Sequence, residues 1–413
     1  MSVNTPAVRA AARIVWLAGG VGVLLVLAAI AIAQTQSGSR WNGDVPLYDS
    51  YAGALLARTL GRTDFLSVYP PLALAPITLP RLISGDPPVY AFLFAVEMAV
   101  TAAALIPVAS STAARWPQLA GSGGAVFWLA VAMVLAAGIL PWRFDPVPAL
   151  ATAIALWAVA AGSPALAGGL LGFGTALKLY PAILLPVVLA WYAVGRDWRK
   201  ATGALIGFTM VVALGFGLYL LFPGSDLLHL LRMQGGRGLQ VESVPASVIG
   251  VAVVAGGIPA PSVVFETRSY NLVGPGADAA LAILSIAGPL LIAATFGAIA
   301  WSFGRQAKAG NWNPTALVMA LTATLLALVL ARQVFSPQYL FWMLPFVPLL
   351  HGAYRPTFAI ILALTGAIFP FLYDGLLRFD AVPVLMLAAR NGLVVSLFVA
   401  VMVWLIRNPA RSA

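Results

Sequence analysis

The 413-residue chain is 61% hydrophobic and only 9% charged, a composition that excludes a water-soluble globular protein and marks a polytopic membrane protein. Its formal charge of +10 shows no concentrated basic patch, so it suits anionic lipid headgroups and argues against a nucleic-acid partner. Without cysteine and with two histidines, the chain offers no disulfide, no thiolate nucleophile and poor material for a histidine metal site or a Ser-His-Asp relay; neither metal nor other cofactor is expected.

A helix needs about 20 apolar residues to cross the hydrocarbon core. Candidate spans are read at 14–34, 87–109, 122–140, 146–161, 164–177, 179–194, 202–222, 279–303, 314–331, 336–351, 356–373 and 382–406. The expected fold is an all-α bundle of about 12 transmembrane helices, because the runs are continuously apolar and lack the alternation of barrel strands. The first span resembles a signal peptide, with Arg9 and Arg13 before it and Ala31-Ile32-Ala33 near its end, but its apolar run is too long for cleavage to be favoured. Lys and Arg in the short loops, including Arg196, Arg199, Lys200, Arg305, Lys308, Arg355 and Arg407, put both termini in the cytoplasm. Of the 13 acidic residues, only Asp197 then falls inside and only Glu97 within a span. A buried hydrogen bond to a neighbouring helix is the expected reason for Glu97.

Two connections, 35–86 and 223–278, are long and fall outside in this register; with no internal repeat or linker, 1–413 reads as one integral membrane domain. In the first loop, Tyr48, Tyr51, Ala52, Leu55, Leu56 and Leu60 recur at helical spacing up to Gly61, which predicts a helix lying in the membrane interface. Asp44 stands just ahead of that helix. It fits both a helix N-cap and a general base that takes a proton from an acceptor hydroxyl, and the two roles are compatible. Asp49 is the spare candidate, though one turn into the helix it reads as a charge on the solvated face. Tyr69-Pro70-Pro71 then interrupts the chain, either stopping a helix or shaping a cavity floor.

Asp44 with Tyr48, Tyr69-Pro70-Pro71, Lys178-Leu179-Tyr180-Pro181, Arg237-Gly238-Leu239-Gln240-Val241-Glu242-Ser243 and Ser336-Pro337-Gln338-Tyr339 occur in an order that resembles glycosyltransferase family 87. These are polyprenol-phosphate-mannose-dependent mannosyltransferases of the GT-C class. The resemblance implies a multi-span enzyme of the cell envelope, with its active site on the outer face of the plasma (inner) membrane and its catalytic aspartate in the first outer loop. It would move a sugar, with mannose foremost, from a polyprenyl-phosphate donor to a lipid-linked or polysaccharide acceptor, inverting the anomeric centre. By position, Asp44 is the implied base.

A departing polyprenyl phosphate needs fixed positive charge, and the planar fork of Arg suits it. Arg237, Arg268, Arg332 and Lys178 all sit in outer loops or at outer span ends, although a headgroup-facing or snorkelling cation accounts for each as well. Gln240, Glu242, Tyr48, Tyr69 and Gln338 complete the expected donor- or sugar-binding set, with Glu242 expected to pair with Arg237; Gln338 also fits the start of a span. Two rival readings remain. Transfer of arabinofuranose or another sugar would keep the mechanism, whereas a lipid or solute transporter should show midplane polar sites and a repeat, which this chain lacks.

Overall fold

The computed structural model describes residues 43–60, 69–220, 235–310 and 312–407, together with Gly20, Leu230 and Arg232. Apart from Gly20, the expected first span at 14–34 lies outside the described residues.

Helix α1 (Val45–Leu56) begins directly after Asp44, with Pro46 in the first turn where a missing N–H costs nothing. It stops before the expected Gly61. The Thr59 N–H reaches the Ala54 carbonyl at 2.8 Å and the Arg58 N–H reaches that of Leu55 at 3.1 Å, a Schellman closure with Arg58 in the left-handed region at φ +57°. One side of it packs on protein: Val45, Tyr48, Tyr51 and Ala52 are buried in one cluster with Tyr90, Phe94, Met98, Trp142 and Phe144, while Leu56 of the expected stripe is exposed. The prolines beyond it leave only the short α2 (Leu74–Thr78) between 3₁₀ turns at Pro71–Ala73 and Pro80–Leu82.

Asp86 caps α3 (Pro87–Ala103) by accepting the Val89 N–H, and α3 runs almost directly into α4 (Leu105–Arg115). The expected bond from Glu97 to a neighbouring helix does not form at Oε2, which is buried without a hydrogen-bond partner. Helix α5 (Ser122–Leu135) and a 3₁₀ turn at Leu140–Trp142 lead to the tight hairpin of α6 (Pro146–Ala160) and α7 (Pro164–Leu177), which match the expected spans closely. A 3₁₀ turn at Tyr180–Leu184 precedes α8 (Leu185–Val194), and Asp197 caps α9 (Trp198–Tyr219). Helices α7 and α9 pack backbone to backbone, because a Cβ at Gly168 would stand 1.8 Å from the Ala204 carbonyl and one at Gly207 would stand 2.1 Å from that of Ala165. Small residues on facing helices allow such an approach in lipid, where no hydrophobic force draws helices together.

The second long connection carries structure of its own: β1 (Leu239–Gln240), α10 (Val244–Val254), β2 (Ser262–Glu266) and β3 (Ser269–Val273), in an antiparallel sheet of order β1-β3-β2. Helices α11 (Pro275–Lys308) and α12 (Pro314–Leu330) follow; α12 is buried on nearly every side, whereas α11 exposes Ile283, Ile286 and Leu290. The expected helical span at 336–351 is instead two 3₁₀ pieces, Pro337–Met343 and Val347–Leu349. Pro337, Pro345 and Pro348 remove backbone donors and break an α-helix. The segment still joins the two ends of the bundle, from Ser336 to Leu349, whose carbonyl accepts the Ala120 N–H at 2.9 Å. Backbone of this kind is tolerated at membrane depth only inside protein, and Leu340, Phe341, Met343, Leu344, Phe346 and Val347 are all buried. Helix α13 (Tyr354–Gly366), a π segment at Ala367–Leu372, α14 (Tyr373–Leu377) and α15 (Ala381–Arg407) complete the described chain.

Five described helices are long and apolar enough to cross a membrane: Pro87–Arg115, Trp198–Tyr219, Pro275–Lys308, Tyr354–Leu377 and Ala381–Arg407. The shorter apolar helices α5, α6, α7 and α12 have 14 to 17 residues. At about 1.5 Å per residue they are shorter than the full hydrocarbon thickness, so among the described residues five helices are of full-span length beside these shorter apolar ones.

The α7–α9 contact generates a stability prediction. Gly207→Val, which must push against the Ala165 carbonyl, should destabilise the protein by roughly 1–3 kcal/mol. Gly217→Ala, with open space around it in the same helix, should be neutral or slightly stabilising. Thermal unfolding of both variants in detergent decides, and equal midpoints would dismiss close packing as the constraint.

Candidate active site

At one end of the bundle, a cavity of about 720 Å³ is walled by the start of α1, Tyr69-Pro70, the 178–183 segment, the β2–β3 turn, the end of α12 and the 3₁₀ segment from Pro337. Of the residues singled out from the sequence, Asp44, Tyr69, Lys178, Arg237, Arg268, Arg332 and Gln338 all line it. Leu179, Ile183, Leu328 and Val329 make part of the wall apolar. The cavity is thus amphiphilic, with an acid and several cations beside a greasy face.

Asp44 occupies the N-cap position of α1, yet its side chain makes no capping bond. Instead Oδ2 lies 3.6 Å from Arg143 Nε and 3.5 Å from the Tyr48 hydroxyl, which donates to it. The Tyr48 ring packs against Tyr69, Phe94 and Phe144. Burial raises the Tyr48 and Tyr69 phenols above their ordinary range, so both stay protonated donors. For Arg143, burial alone would weaken the charged form, but Asp44 foremost, with Tyr48, Tyr69 and Asp145, holds it above its usual value. Gly43 is required here twice over. Its φ of +54° is left-handed, and a Cβ on it would stand 1.8 Å from Arg143 Nη1.

Lys178 follows α7 in extended conformation. Its ammonium donates to both oxygens of Asp145, at 2.7 and 2.8 Å, and lies within 6 Å of the Phe144, Tyr339 and Trp342 ring centroids. Asp145 is fully buried and also accepts the Trp342 indole N–H at 2.8 Å. Trp342 is itself stacked between Tyr180 and Tyr339, each with its centroid 4.2 Å away. Arg237 Nη2 donates to the Thr267 carbonyl at 3.1 Å, tying the chain before β1 to the β2–β3 turn. That two-residue turn holds Thr267 at φ +50° and Arg268 at φ +63°. Non-glycine residues in this region cost roughly 1–3 kcal/mol each, and such strain persists where surrounding contacts impose it.

Four of the singled-out residues lie off the cavity wall. Tyr48 sits directly behind Asp44. Asp49, expected on a solvated face, is paired with Arg81 at 2.7 Å. Gln240 is a clasp: its side chain accepts the Phe335 N–H at 2.8 Å and donates to Ser336 Oγ at 3.1 Å. Glu242 is paired not with Arg237 but with Arg390, 4.0 Å away, and it accepts from Tyr373 and Gln240. Arg390 and Asn391 of α15 donate in turn to the Glu242 carbonyl.

Sequence reasoning passed over Arg143, Asp145, Trp342 and Arg390. Two signals were available: the opposite charges of Arg143 and Asp145 confined between two apolar runs, and a cation in the middle of the last span, where charge is expensive. Among the described residues, no group of three or more His, Asp or Glu side chains is arranged to hold a metal ion.

Residues 65–331, well over half of the chain, match the family model described as glycosyltransferase family 87. No curated protein and no solved structure matches the chain. The matched segment carries Tyr69, Arg143, Asp145, Lys178, Arg237 and Arg268, while Asp44 precedes it and Arg332 and Gln338 follow it. The cavity brings those three to the matched residues.

The Glu242 cluster predicts a pH dependence of stability. Burial lifts the Glu242 carboxyl from 4.5 to about 7, against the pull of Arg390, the Tyr373 hydrogen bond and the more distant Arg143. Because the folded state binds this proton more tightly than the unfolded chain, the contribution of Glu242 to stability falls as pH rises from 4.5 to about 7 and is level above that. Glu242→Gln should remove this slope. Thermal midpoints of both proteins between about pH 5 and about pH 7.5 test it, and parallel profiles would exclude Glu242 as the titrating group.

Proposed function

The chain belongs to glycosyltransferase family 87, and from that premise we propose that it transfers a sugar, mannose foremost, from a polyprenyl-phosphate donor to a hydroxyl of a lipid-linked or polysaccharide acceptor. Family membership makes the protein a membrane glycosyltransferase and sets the transporter reading aside. The observation that carries the finer reading is the amphiphilic cavity. Asp44 shares one cavity with Lys178, Arg237, Arg268 and Arg332, next to an apolar wall of Leu179, Ile183, Leu328 and Val329. A donor with an isoprene tail, a phosphate and a sugar has those same three chemical parts.

In this reading Asp44 is the general base. As the acceptor oxygen bonds to the anomeric carbon, its proton passes to the Asp44 carboxylate. The bond from the anomeric carbon to the phosphate oxygen breaks, and its electron pair leaves on polyprenyl phosphate. Fixed cations are worth most where such charge develops, in a site that excludes bulk water, and the three arginines and Lys178 supply them. Attack on the face opposite the phosphate inverts the anomeric centre. Gln338 and Tyr69, also on the wall, offer hydrogen bonds to sugar hydroxyls. The GT-C class, a single integral domain over 1–413 and a site on the outer face of the plasma membrane belong to the same proposal. Cytoplasmic nucleotide sugars would then be on the wrong side, and no Gly-rich phosphate loop is present to hold one.

Three predictions test it. Purified protein in proteoliposomes should transfer sugar from polyprenyl-phosphate mannose without added nucleotide and should keep its activity in chelator. Asp44→Asn should abolish transfer with little change in thermal midpoint, since the amide keeps an oxygen for Arg143 and Tyr48 but is a poor base. Transfer from a nucleotide sugar and from no polyprenyl-phosphate sugar would reject the donor class, and near-normal turnover of the Asn variant would remove Asp44 as base. For topology, no native cysteine interferes, so Gly236→Cys and Ala309→Cys can be probed with an impermeant thiol reagent on intact cells. Labelling is expected at 236 in intact cells and at 309 only after disruption; the reverse pattern would invert the assignment of the two ends.

A further inference from the structure

We propose that Arg143 and Asp145 are the positioning residues of the transfer, Arg143 fixing the Asp44 carboxylate and Asp145 fixing the Lys178 ammonium from a single three-residue stretch of chain. The inference rests on the reading of Asp44 as the base. Neither side chain lines the cavity, and they are only 9% and 1% exposed, so each acts through its partner. The stretch leaves the 3₁₀ turn at Leu140–Trp142 and enters α6, both buried, so its backbone is anchored on each side.

Arg143 is held independently of Asp44. Its Nη1 donates to the Trp142 carbonyl at 3.0 Å, and its guanidinium sits 5.9 Å from the Phe369 ring centroid. The guanidinium fills the space where residue 43 would otherwise carry a Cβ. The residue preceding the base is therefore glycine for a reason that concerns Arg143 as well as the turn. Asp145 is held equally firmly, with the Lys178 ammonium on both oxygens and the Trp342 indole on one of them. Between the two, the Phe144 ring packs on Tyr48 and Tyr69, which flank the base, and lies 5.1 Å from the Lys178 nitrogen. The proton acceptor and the ammonium that meets the phosphate are thus referred to one short piece of backbone. Transfer needs both at once, and catalytic groups displaced by about 1 Å can lose on the order of a hundredfold in rate.

The alternative is that both ion pairs only hold the bundle together. Full-length variants in proteoliposomes, assayed with polyprenyl-phosphate mannose, separate the two. Arg143→Gln is expected to lower kcat by about a hundredfold with little change in KM, and Arg143→Lys to recover part of the loss. Gly43→Ala should reproduce the loss, and in an Arg143→Ala background only the smaller part owed to backbone strain at φ +54° should remain. Asp145→Asn should raise the donor KM about tenfold, since Lys178 loses its fixed partner while the base is untouched. Folding is checked by thermal unfolding; where a Gln or Asn variant does not fold, the kcat and donor KM of Arg143→Lys decide. Purely structural pairs would lower the yield of folded protein while leaving kcat and KM of the folded fraction at wild-type values, and that result would overturn the proposal. Should Asp44→Asn itself turn over normally, the base assignment fails instead; an inactive Asn variant beside an unaffected Arg143→Gln sinks only the positioning role.

Discussion

The ion pair between Lys178 and Asp145 is the interaction on which the cavity end of this bundle depends. Removing two charges from water costs several kcal/mol per ion, and attraction repays that only when the remaining hydrogen-bonding capacity is met. Here both carboxylate oxygens bind the ammonium and one also takes the Trp342 indole proton. The pair joins the end of α7 to the start of α6, and through Trp342 it brings in the segment from Pro337. Trp342 then carries the Tyr180 and Tyr339 rings that form part of the cavity wall. Loss of this one contact would loosen two cavity walls together, the 178–183 segment and the segment from Pro337.

A second constraint comes from the solvent. In hydrocarbon, backbone groups must find partners within the protein, which explains why the irregular pieces of this chain lie inside the bundle. The 3₁₀ segments after Ser336 are wrapped by α12 and their neighbours, with their apolar side chains spent in the core. Around Glu242, the clasp of Gln240 on Phe335 and Ser336 and the bonds from Arg390 and Asn391 to the Glu242 carbonyl satisfy a stretch of loop that no regular ladder covers. This cluster ties the short sheet and α10 to α15 on one side and to the Ser336 edge of the cavity on the other. Gln240 and Glu242 therefore support the wall from behind, a role chemically different from touching a sugar.

Charge is distributed in keeping with that arrangement. The cavity holds cations that are engaged but not buried away: Arg237 grips the Thr267 carbonyl while facing the cavity, and Arg268 sits in a strained turn that presents it there. An anionic group entering the space meets donors already in place, which is the condition under which electrostatic stabilisation costs no reorganisation. The acid in the same cavity, Asp44, has an arginine of its own behind it, Arg143 at 3.6 Å.

How much of this was legible in the chain follows from what each feature depends on. Apolar run length and charge bias are properties of the sequence, so the membrane class, the α6 and α7 boundaries, the long helices and the clustering of Asp44, Tyr69, Lys178, Arg237, Arg268, Arg332 and Gln338 at one end were all determined there. Run length could not distinguish an α-helical span from the buried 3₁₀ segment at 337–349, because three prolines decide the backbone and only surrounding protein makes that backbone tolerable. Nor could it choose partners. Glu242 meets Arg390, 148 residues away, and Asp44 turns from its helix cap to Arg143, since ion pairs are selected by packing across the fold. The sequence by itself determined which groups reach the cavity end; the tertiary structure alone decided which of them face the open space and which hold the others still, because exposure and pairing are set by neighbours remote in the chain.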